Sequence, residues 1–199
     1  LRIIDVIFSL IAGRIIGFLI NDFLKGAGVE IGLYYYIISW LTFPFLSLFC
    51  LWIAYHIGKR LLFVFQAAKH ILVGAVVTVI DLKVFEFLIW SSVAFIPSGQ
   101  LIAKGISFIL ATALKYIGNK YWTFNKPEKE NVPQEIIQFF LITSIGLILD
   151  VVSFYYLTEI MGPQFNLSPY LWIKVSVVLA AITAATLNFL GYKFFVFKK

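Results

Sequence analysis

Two ionisable side chains stand inside otherwise apolar stretches of this sequence, at positions that suit a buried pair. Asp81 lies ten residues after Ile71, and Lys115 lies nine residues before Phe124. If both stretches are helices rising about 1.5 Å per residue, the two groups lie at a similar depth of about 14 Å. A charge at that depth in a membrane costs about 3 kcal/mol, so it usually meets a partner or a wet cavity. The spacing therefore predicts that Asp81 contacts Lys115, or Lys83 on its own helix.

The other reactive residue types lack the spacing that catalysis or metal binding needs. Cys50 is the only cysteine, which excludes a disulfide framework and a thiolate cluster. His56 and His70 have no carboxylate or cysteine at the spacing of a metal site. The sequence also lacks a nucleophile-elbow serine and a glycine-rich phosphate loop. We therefore expect a protein that is not an enzyme and that uses no metal and no cofactor.

The composition places these residues in a membrane protein. Of the 199 residues, 61% are hydrophobic and only 13% are charged, whereas a soluble domain has about 25% charged residues. The net charge of +6 comes from lysines and arginines that flank alternate connections between apolar stretches, as the positive-inside rule describes. We therefore predict no nucleic-acid partner. The predicted fold class is all-α, a polytopic transmembrane helical bundle in the lipid bilayer.

Five apolar stretches predict membrane spans, at about residues 33–57, 71–95, 101–124, 136–160 and 171–197. A further stretch, about residues 3–24, contains Asp5, Arg14 and Asn21, and either spans the membrane, lies on its surface or re-enters it. We expect it to be retained rather than cleaved as a signal sequence. Alternating basic connections predict a multi-pass protein of the cytoplasmic membrane with both termini in the cytoplasm. Asn131 followed by Pro133 predicts a capped helix start.

The last four predicted spans are two copies of one helical hairpin. Equivalent residues in the two copies are Asp81 and Asp150, Lys115 and Asn188, Gly118 and Gly191, and Lys120 and Lys193. Because each copy holds two spans, both copies enter the membrane from the same side and form a parallel repeat. The predicted organisation is an N-terminal membrane region, residues 1–65, with one or two spans. A four-helix domain follows at 66–199, with its two hairpins at about 68–126 and 136–199.

The first hairpin has a glycine and a mid-helix aspartate in its first helix, and its second helix ends in an amide, a lysine, a tryptophan and a phenylalanine. The residues are Gly74, Asp81, Asn119, Lys120, Trp122 and Phe124. In these residues the chain resembles the GtrA family of small membrane proteins, over about residues 69–199. It departs from the family pattern at Lys115, where an amide is expected, and in the added N-terminal region.

The resemblance implies a role in flipping a polyprenyl-phosphate-linked sugar across the cytoplasmic membrane for cell-envelope polysaccharide glycosylation, beside a separate membrane glycosyltransferase. An anionic head group that crosses hydrocarbon needs basic residues near both boundaries and polar groups between them, and aromatic rings can stack on a sugar. On this basis the candidate substrate-binding residues are Asp81, Lys104, Lys115, Asn119, Lys120, Trp122, Asp150, Lys174, Asn188 and Lys193. We expect the groove between the two hairpins to open alternately to each side.

Other interpretations of the same residues stay open. Lysines near helix ends extend to the interface and aromatic residues form interfacial belts in most membrane proteins. Asp81 can equally form a structural ion pair that joins two helices. Two further functions are compatible with the sequence, a non-transporting accessory subunit of a membrane glycosyltransferase and a proton-coupled exporter of small solutes. A homo-oligomer is also compatible with it.

Overall fold

The computed structural model describes residues 1–26, 32–91, 99–127, 131–167 and 169–197. These residues form helices without a β-strand. In chain order the helices are α1 (Ile3–Gly26), α2 (Leu33–Gly58), α3 (Leu62–Trp90), α4 (Gly99–Ile117), α5 (Val132–Tyr155) and α6 (Pro169–Gly191). Three of them continue as π-helices, α4 over Gly118–Thr123, α5 over Tyr156–Met161 and α6 over Tyr192–Val196. The predicted all-α polytopic bundle is confirmed.

Four helical stretches among the described residues are long and apolar enough to cross a membrane. They are Ile3–Asn21, Leu33–Gly58, Val132–Met161 and Val175–Val196. The first coincides with the stretch that the sequence left open between a span and a surface helix, so its length and composition are those of a span. Helix α3 has 29 residues, and its length of about 43 Å also exceeds the hydrocarbon thickness.

Helix α3 begins nine residues earlier than the sequence predicted, at Leu62 rather than Ile71. The span was predicted to begin at about Ile71 because Lys69 and His70 were interpreted as residues that flank a charged connection. Both side chains are instead buried within the helix, at 2% and 4% exposure, since other helices supply partners for them. Helix α5 does begin beside Asn131 with a proline in its first turn, but Asn131 has a left-handed backbone and its side chain makes no capping hydrogen bond.

The chain forms two compact units, Leu1–Asn125 and Lys126–Lys199. In the first unit α1 packs against α2 and α3, and α3 packs against α4. Glycines allow α1 and α2 to approach closely, because a Cβ atom on Gly13 would collide with backbone atoms of Phe43 and Pro44. Gly17 faces the Phe43 side chain one turn later. The Gly13 and Gly17 pair is therefore a small-residue packing motif between two membrane helices.

The core of the first unit lies where α2, α3 and the π-helical end of α4 meet. It consists of the buried residues Leu51, Val73, Val77, Ala111 and Trp122. The second unit is the hairpin of α5 and α6, in which Phe139 stacks on Tyr192 with ring centroids 4.1 Å apart. Both units therefore bury an aromatic residue near the end of the hairpin's second helix.

The two hairpins, α3–α4 and α5–α6, are pseudo-equivalent in geometry. Gly118 packs against Val73 in the first hairpin, and their counterparts Gly191 and Ile142 pack together in the second. A backbone bond of π-helical spacing also recurs, from the Phe124 amide to the Asn119 carbonyl at 2.9 Å, and at 2.7 Å between the matching Phe197 and Tyr192. The repeat therefore extends from sequence to the close contacts and the helix ends.

Candidate functional site

A polar cluster joins the two helices of the first hairpin. The Lys104 Nζ lies 2.5 Å from Asp81 Oδ2, and the Ser107 hydroxyl donates a hydrogen bond of 2.7 Å to Asp81 Oδ1. Asp81 lies in the second half of α3, while Lys104 and Ser107 lie on one face of α4 because they are three residues apart. Each carboxylate oxygen of Asp81 therefore has its own partner.

The ion pair in this cluster is open on one side. The Lys104 side chain is 54% exposed and that of Asp81 is 22% exposed, whereas Ser107 is fully buried. Lys104 lies five residues after the start of α4, about 7 Å from that helix end, whereas Asp81 lies nine residues before the end of α3, about 13 Å from it. The lysine side chain is therefore held at Asp81, away from the nearer end of α4.

Asp81 does not pair with the residue that was predicted from similar depth in the membrane. The structure pairs Asp81 with Lys104, not with Lys115, and Lys83 pairs with Glu86 one turn along α3 at 2.8 Å. Lys115 is half-buried, and its backbone carbonyl accepts a hydrogen bond from the Asn119 side chain. Depth alone could not predict this result, because a lysine side chain reaches a full helical turn from its own backbone.

A second cluster connects α1 to the first hairpin and is buried. Lys69 Nζ lies 2.5 Å from Asp5 Oδ1, and the Trp122 indole N–H donates to the same carboxylate oxygen at 2.9 Å. Phe8 stacks on the Trp122 ring with centroids 5.0 Å apart. Trp122 is thus enclosed between α1 and α3 and is only 4% exposed, so the predicted stacking of its ring on a substrate sugar does not fit this arrangement.

Asn119 and Lys120, in the π-helix that continues α4, are also buried. His70 Nδ1 lies 2.8 Å from Asn119 Oδ1. Lys120 Nζ lies 3.2 Å from the Tyr116 hydroxyl, and the Lys120 side chain is almost fully buried. Asn119 and Lys120 therefore make packing contacts inside the helical unit, and neither presents a polar group at its surface.

In the second unit the equivalent positions carry different chemistry. Tyr192, the counterpart of Asn119, shares a hydrogen bond of 2.6 Å with the Thr143 hydroxyl. Asn188 packs against Gly146, where a Cβ atom would collide with its amide, and Asn188 Oδ1 is buried without a hydrogen-bond partner among the described residues. Lys193 is half-buried and lies 5.9 Å from the Phe189 ring centre.

Among the side chains that the structure describes, the second hairpin shows no counterpart of the Asp81 cluster. Asp150 is half-buried at the position equivalent to Asp81. The positions that correspond to Lys104 and Ser107 hold Val177 and Ala180, by the same offset that relates Lys120 to Lys193. Lys174, which was predicted as a second basic residue near this end, belongs to α6, with its side chain outside the part that the structure describes. The two hairpins therefore share a fold but carry different polar side chains at equivalent positions.

Sequence reasoning missed several residues of these clusters, namely Asp5, Lys69, His70, Ser107, Tyr116 and Thr143. Ser107 could have been found from its spacing of three residues after Lys104. Asp5 could have been found from its position in an apolar helix, since such a carboxylate requires a cation. No group of three His, Cys, Asp or Glu side chains suited to a metal ion occurs within the described residues.

Comparison with known proteins adds one finding. The family model described as GtrA/DPMS, transmembrane domain, matches residues 69–197. Neither the curated proteins nor the solved structures contain a significant match to the chain. The matched region begins at Lys69, within α3, and extends through α4, α5 and α6, so it includes the Asp81 cluster. Helices α1 and α2 lie outside it.

Proposed function

The chain belongs to the GtrA/DPMS transmembrane-domain family, and we propose on this premise that it flips a polyprenyl-phosphate-linked sugar across the cytoplasmic membrane for cell-envelope polysaccharide synthesis. It works without a cofactor and beside a membrane glycosyltransferase that uses the lipid-linked sugar. In this proposal both termini face the cytoplasm, as the alternating basic connections suggest.

The observation that supports this proposal is the exposed ion pair of Asp81 and Lys104. An ammonium that is 54% exposed at the depth of hydrocarbon is costly if it faces acyl chains, so ionisable residues at such positions usually line a polar path. An anionic lipid head group needs a path of this kind to cross, while its isoprenoid tail stays in the bilayer.

The geometry of the cluster suits a reversible phosphate contact. The Ser107 hydroxyl bonds Asp81 Oδ1, whereas Lys104 bonds Asp81 Oδ2. Lys104 can therefore turn to a lipid phosphate while Ser107 still satisfies one oxygen of Asp81. Hydrogen bonds between an ammonium and phosphate are stronger than neutral ones. When the phosphate leaves, Lys104 returns to Asp81 and the site is neutral again.

The second hairpin contributes apolar surface and one basic group in this proposal. Phe195 is 64% exposed, next to the half-buried Lys193 of the same π-helix. Lys193 binds the phosphate near the membrane boundary, and Phe195 offers a ring for the sugar or the first isoprene. Lys120, its counterpart, supports the fold instead, since it is buried against Tyr116.

Reconstitution of the purified protein alone in liposomes tests the proposal. A fluorescent polyprenyl-phosphate sugar, present in both leaflets, should become fully accessible to an impermeant quencher only in liposomes that contain the protein. Activity that appears only when a glycosyltransferase is added would instead indicate the accessory subunit. Export of a soluble solute that depends on a proton gradient would indicate the small-solute exporter.

A further inference from the structure

An arginine lies inside the first membrane helix and rests on a tryptophan of the second. The Arg14 guanidinium carbon lies 3.2 Å from the centre of the Trp40 ring. Its Nη1 donates to the Trp40 carbonyl at 3.5 Å. An arginine near the centre of a membrane helix is unusual, because a charged group is costly to place in hydrocarbon.

Pro44 explains the carbonyl contact. It lies inside α2, and since proline has no backbone N–H, the carbonyl four residues earlier, that of Trp40, loses its helical donor. Arg14 replaces this donor, as side chains commonly do at prolines in membrane helices. The contact uses one of the five guanidinium N–H groups. The ring covers one face of the guanidinium, so the N–H groups at its edge stay available.

The groove around Arg14 cannot satisfy those N–H groups by itself. It has a volume of about 430 Å³ and is lined by Leu10, Ile11, Arg14, Ile15, Trp40, Leu41, Pro44 and Phe45. Apart from Arg14 and Trp40, these lining side chains are apolar and offer no hydrogen-bond acceptor. Ile11, Trp40, Leu41 and Phe45 are all exposed, so the groove is open at the surface of the helix pair.

The groove has its polar end nearer the membrane surface. Gly13 packs against Pro44. The side chain of the next residue, Arg14, extends to Trp40, which lies one turn closer to the start of α2 than Pro44 does. Helix α2 has 26 residues, a length of about 39 Å, which exceeds the hydrocarbon thickness of about 30 Å. If the excess is shared between both ends, Trp40 lies only about 6 Å below the hydrocarbon boundary. The apolar Leu10 and Phe45 lie deeper, beside Ile11.

We propose that the groove between α1 and α2 binds an anionic lipid, with its phosphate on Arg14 and one of its chains along Leu10, Ile11 and Phe45. The groove has a cation at its shallow end and apolar surface at its deep end. This arrangement matches a lipid, whose charged head group lies at the membrane surface and whose chains extend into the hydrocarbon. A guanidinium binds phosphate through two parallel hydrogen bonds. An ordinary anionic phospholipid satisfies this site, so the proposal does not depend on the transport function.

The test uses the purified full chain in neutral detergent, with phosphatidylglycerol and phosphatidylcholine added in equal amounts and the bound lipids counted by native mass spectrometry. The wild type should retain phosphatidylglycerol about tenfold more than phosphatidylcholine, because both carry a phosphodiester but the choline ammonium of phosphatidylcholine offsets that charge and is repelled by Arg14. Arg14→Gln should abolish this preference. Lys59→Gln is the matched control, because Lys59 is an exposed cation 5.4 Å from the Tyr55 ring at the other end of α2.

Two further arms keep the proposal open to refutation. Leu41→Trp fills the groove while Arg14 stays in place, and it should reduce retention of both lipids even if Arg14→Gln fails to fold. Inorganic phosphate should not compete at the concentration at which the lipid binds. Equal preference in the wild type and Arg14→Gln, or an equal loss in Lys59→Gln, would overturn the proposal. A wild type that shows no preference between the two lipids would also overturn it.

Discussion

Lys69 Nζ and Asp5 Oδ1 lie 2.5 Å apart, and both side chains are at most 3% exposed. This ion pair joins α1, which lies outside the matched family domain, to the first residue of that domain. The Trp122 indole N–H also donates a hydrogen bond to Asp5. The Asp5 carboxylate of α1 is therefore contacted by both helices of the first hairpin. The N-terminal helix is thereby attached to the first hairpin by a buried charge contact as well as by apolar packing.

Asp5→Ala should strongly destabilise the protein, because it leaves the Lys69 ammonium buried without its counter-charge. Removal of one partner of a buried pair costs about 3 to 5 kcal/mol. The double variant Asp5→Leu with Lys69→Met should recover most of this loss. Thermal unfolding in detergent measures both. Glu86→Ala is the control, since the exposed Lys83–Glu86 pair should contribute about 0.5 kcal/mol or less. A similar small effect for Asp5→Ala would contradict the buried pair.

Gly13→Ala should destabilise the protein by about 1 to 3 kcal/mol, the usual cost of overpacking. The added methyl group would meet backbone atoms of Phe43 and Pro44, which cannot move aside as a side chain would. Gly74→Ala is the matched control, because no atom lies within 4 Å of the Cβ position there. That change should be neutral or stabilise α3 by up to about 1 kcal/mol. Equal melting temperatures of the two variants would show that α1 and α2 do not pack at Gly13.

The repeat predicts that paired residues can be exchanged between the hairpins. His70→Phe alone leaves the buried Asn119 amide oxygen without its partner, at a cost of about 1 to 3 kcal/mol. Combining it with Asn119→Tyr recreates the stack of Phe139 and Tyr192. The double variant should therefore lose less stability than the sum of the two single variants. Additive losses would show that the two positions are not coupled.

The orientation follows from the basic connections and can be measured by cysteine labelling. The exposed Cys50 is first replaced by serine. A cysteine at Ser98 should then react with an impermeant maleimide from outside the cell, and a cysteine at Glu128 only after the membrane is opened. The positive-inside rule is the physical reason. The reverse labelling pattern would place the termini outside the cytoplasm.

The helices and the repeat could be predicted from the sequence because hydropathy and helical spacing are local properties. Alignment of the two halves of the sequence was enough to match Asp81 with Asp150 and Gly118 with Gly191. The partner of Asp81 could not be predicted in this way, because the choice between Lys104 and Lys115 depends on which face of α4 meets α3. The direction of the Lys104 side chain was also hidden, since most lysines near a helix end extend to the interface.

The buried ion pair of Asp5 and Lys69 shows a second limit of the sequence. Lys69 is adjacent to His70 and follows Arg60 by nine residues, a pattern typical of a charged connection at the membrane surface. Only the packing of α1 on α3 makes it a core residue. Its partner Asp5 is 64 positions away in the chain, and no local pattern links them.

Transport by Lys104→Gln liposomes tests the central claim most directly. Lys83→Gln is the matched control, because Lys83 is a partly exposed lysine of the same hairpin that pairs with Glu86 instead of Asp81. With folding of both variants verified by thermal unfolding, Lys104→Gln should slow flipping of the polyprenyl-phosphate sugar about tenfold or more, which corresponds to the loss of one charge contact in the transition state. Lys83→Gln should flip it at nearly the wild-type rate. Wild-type transport by Lys104→Gln would contradict the proposed role of the Asp81–Lys104 pair.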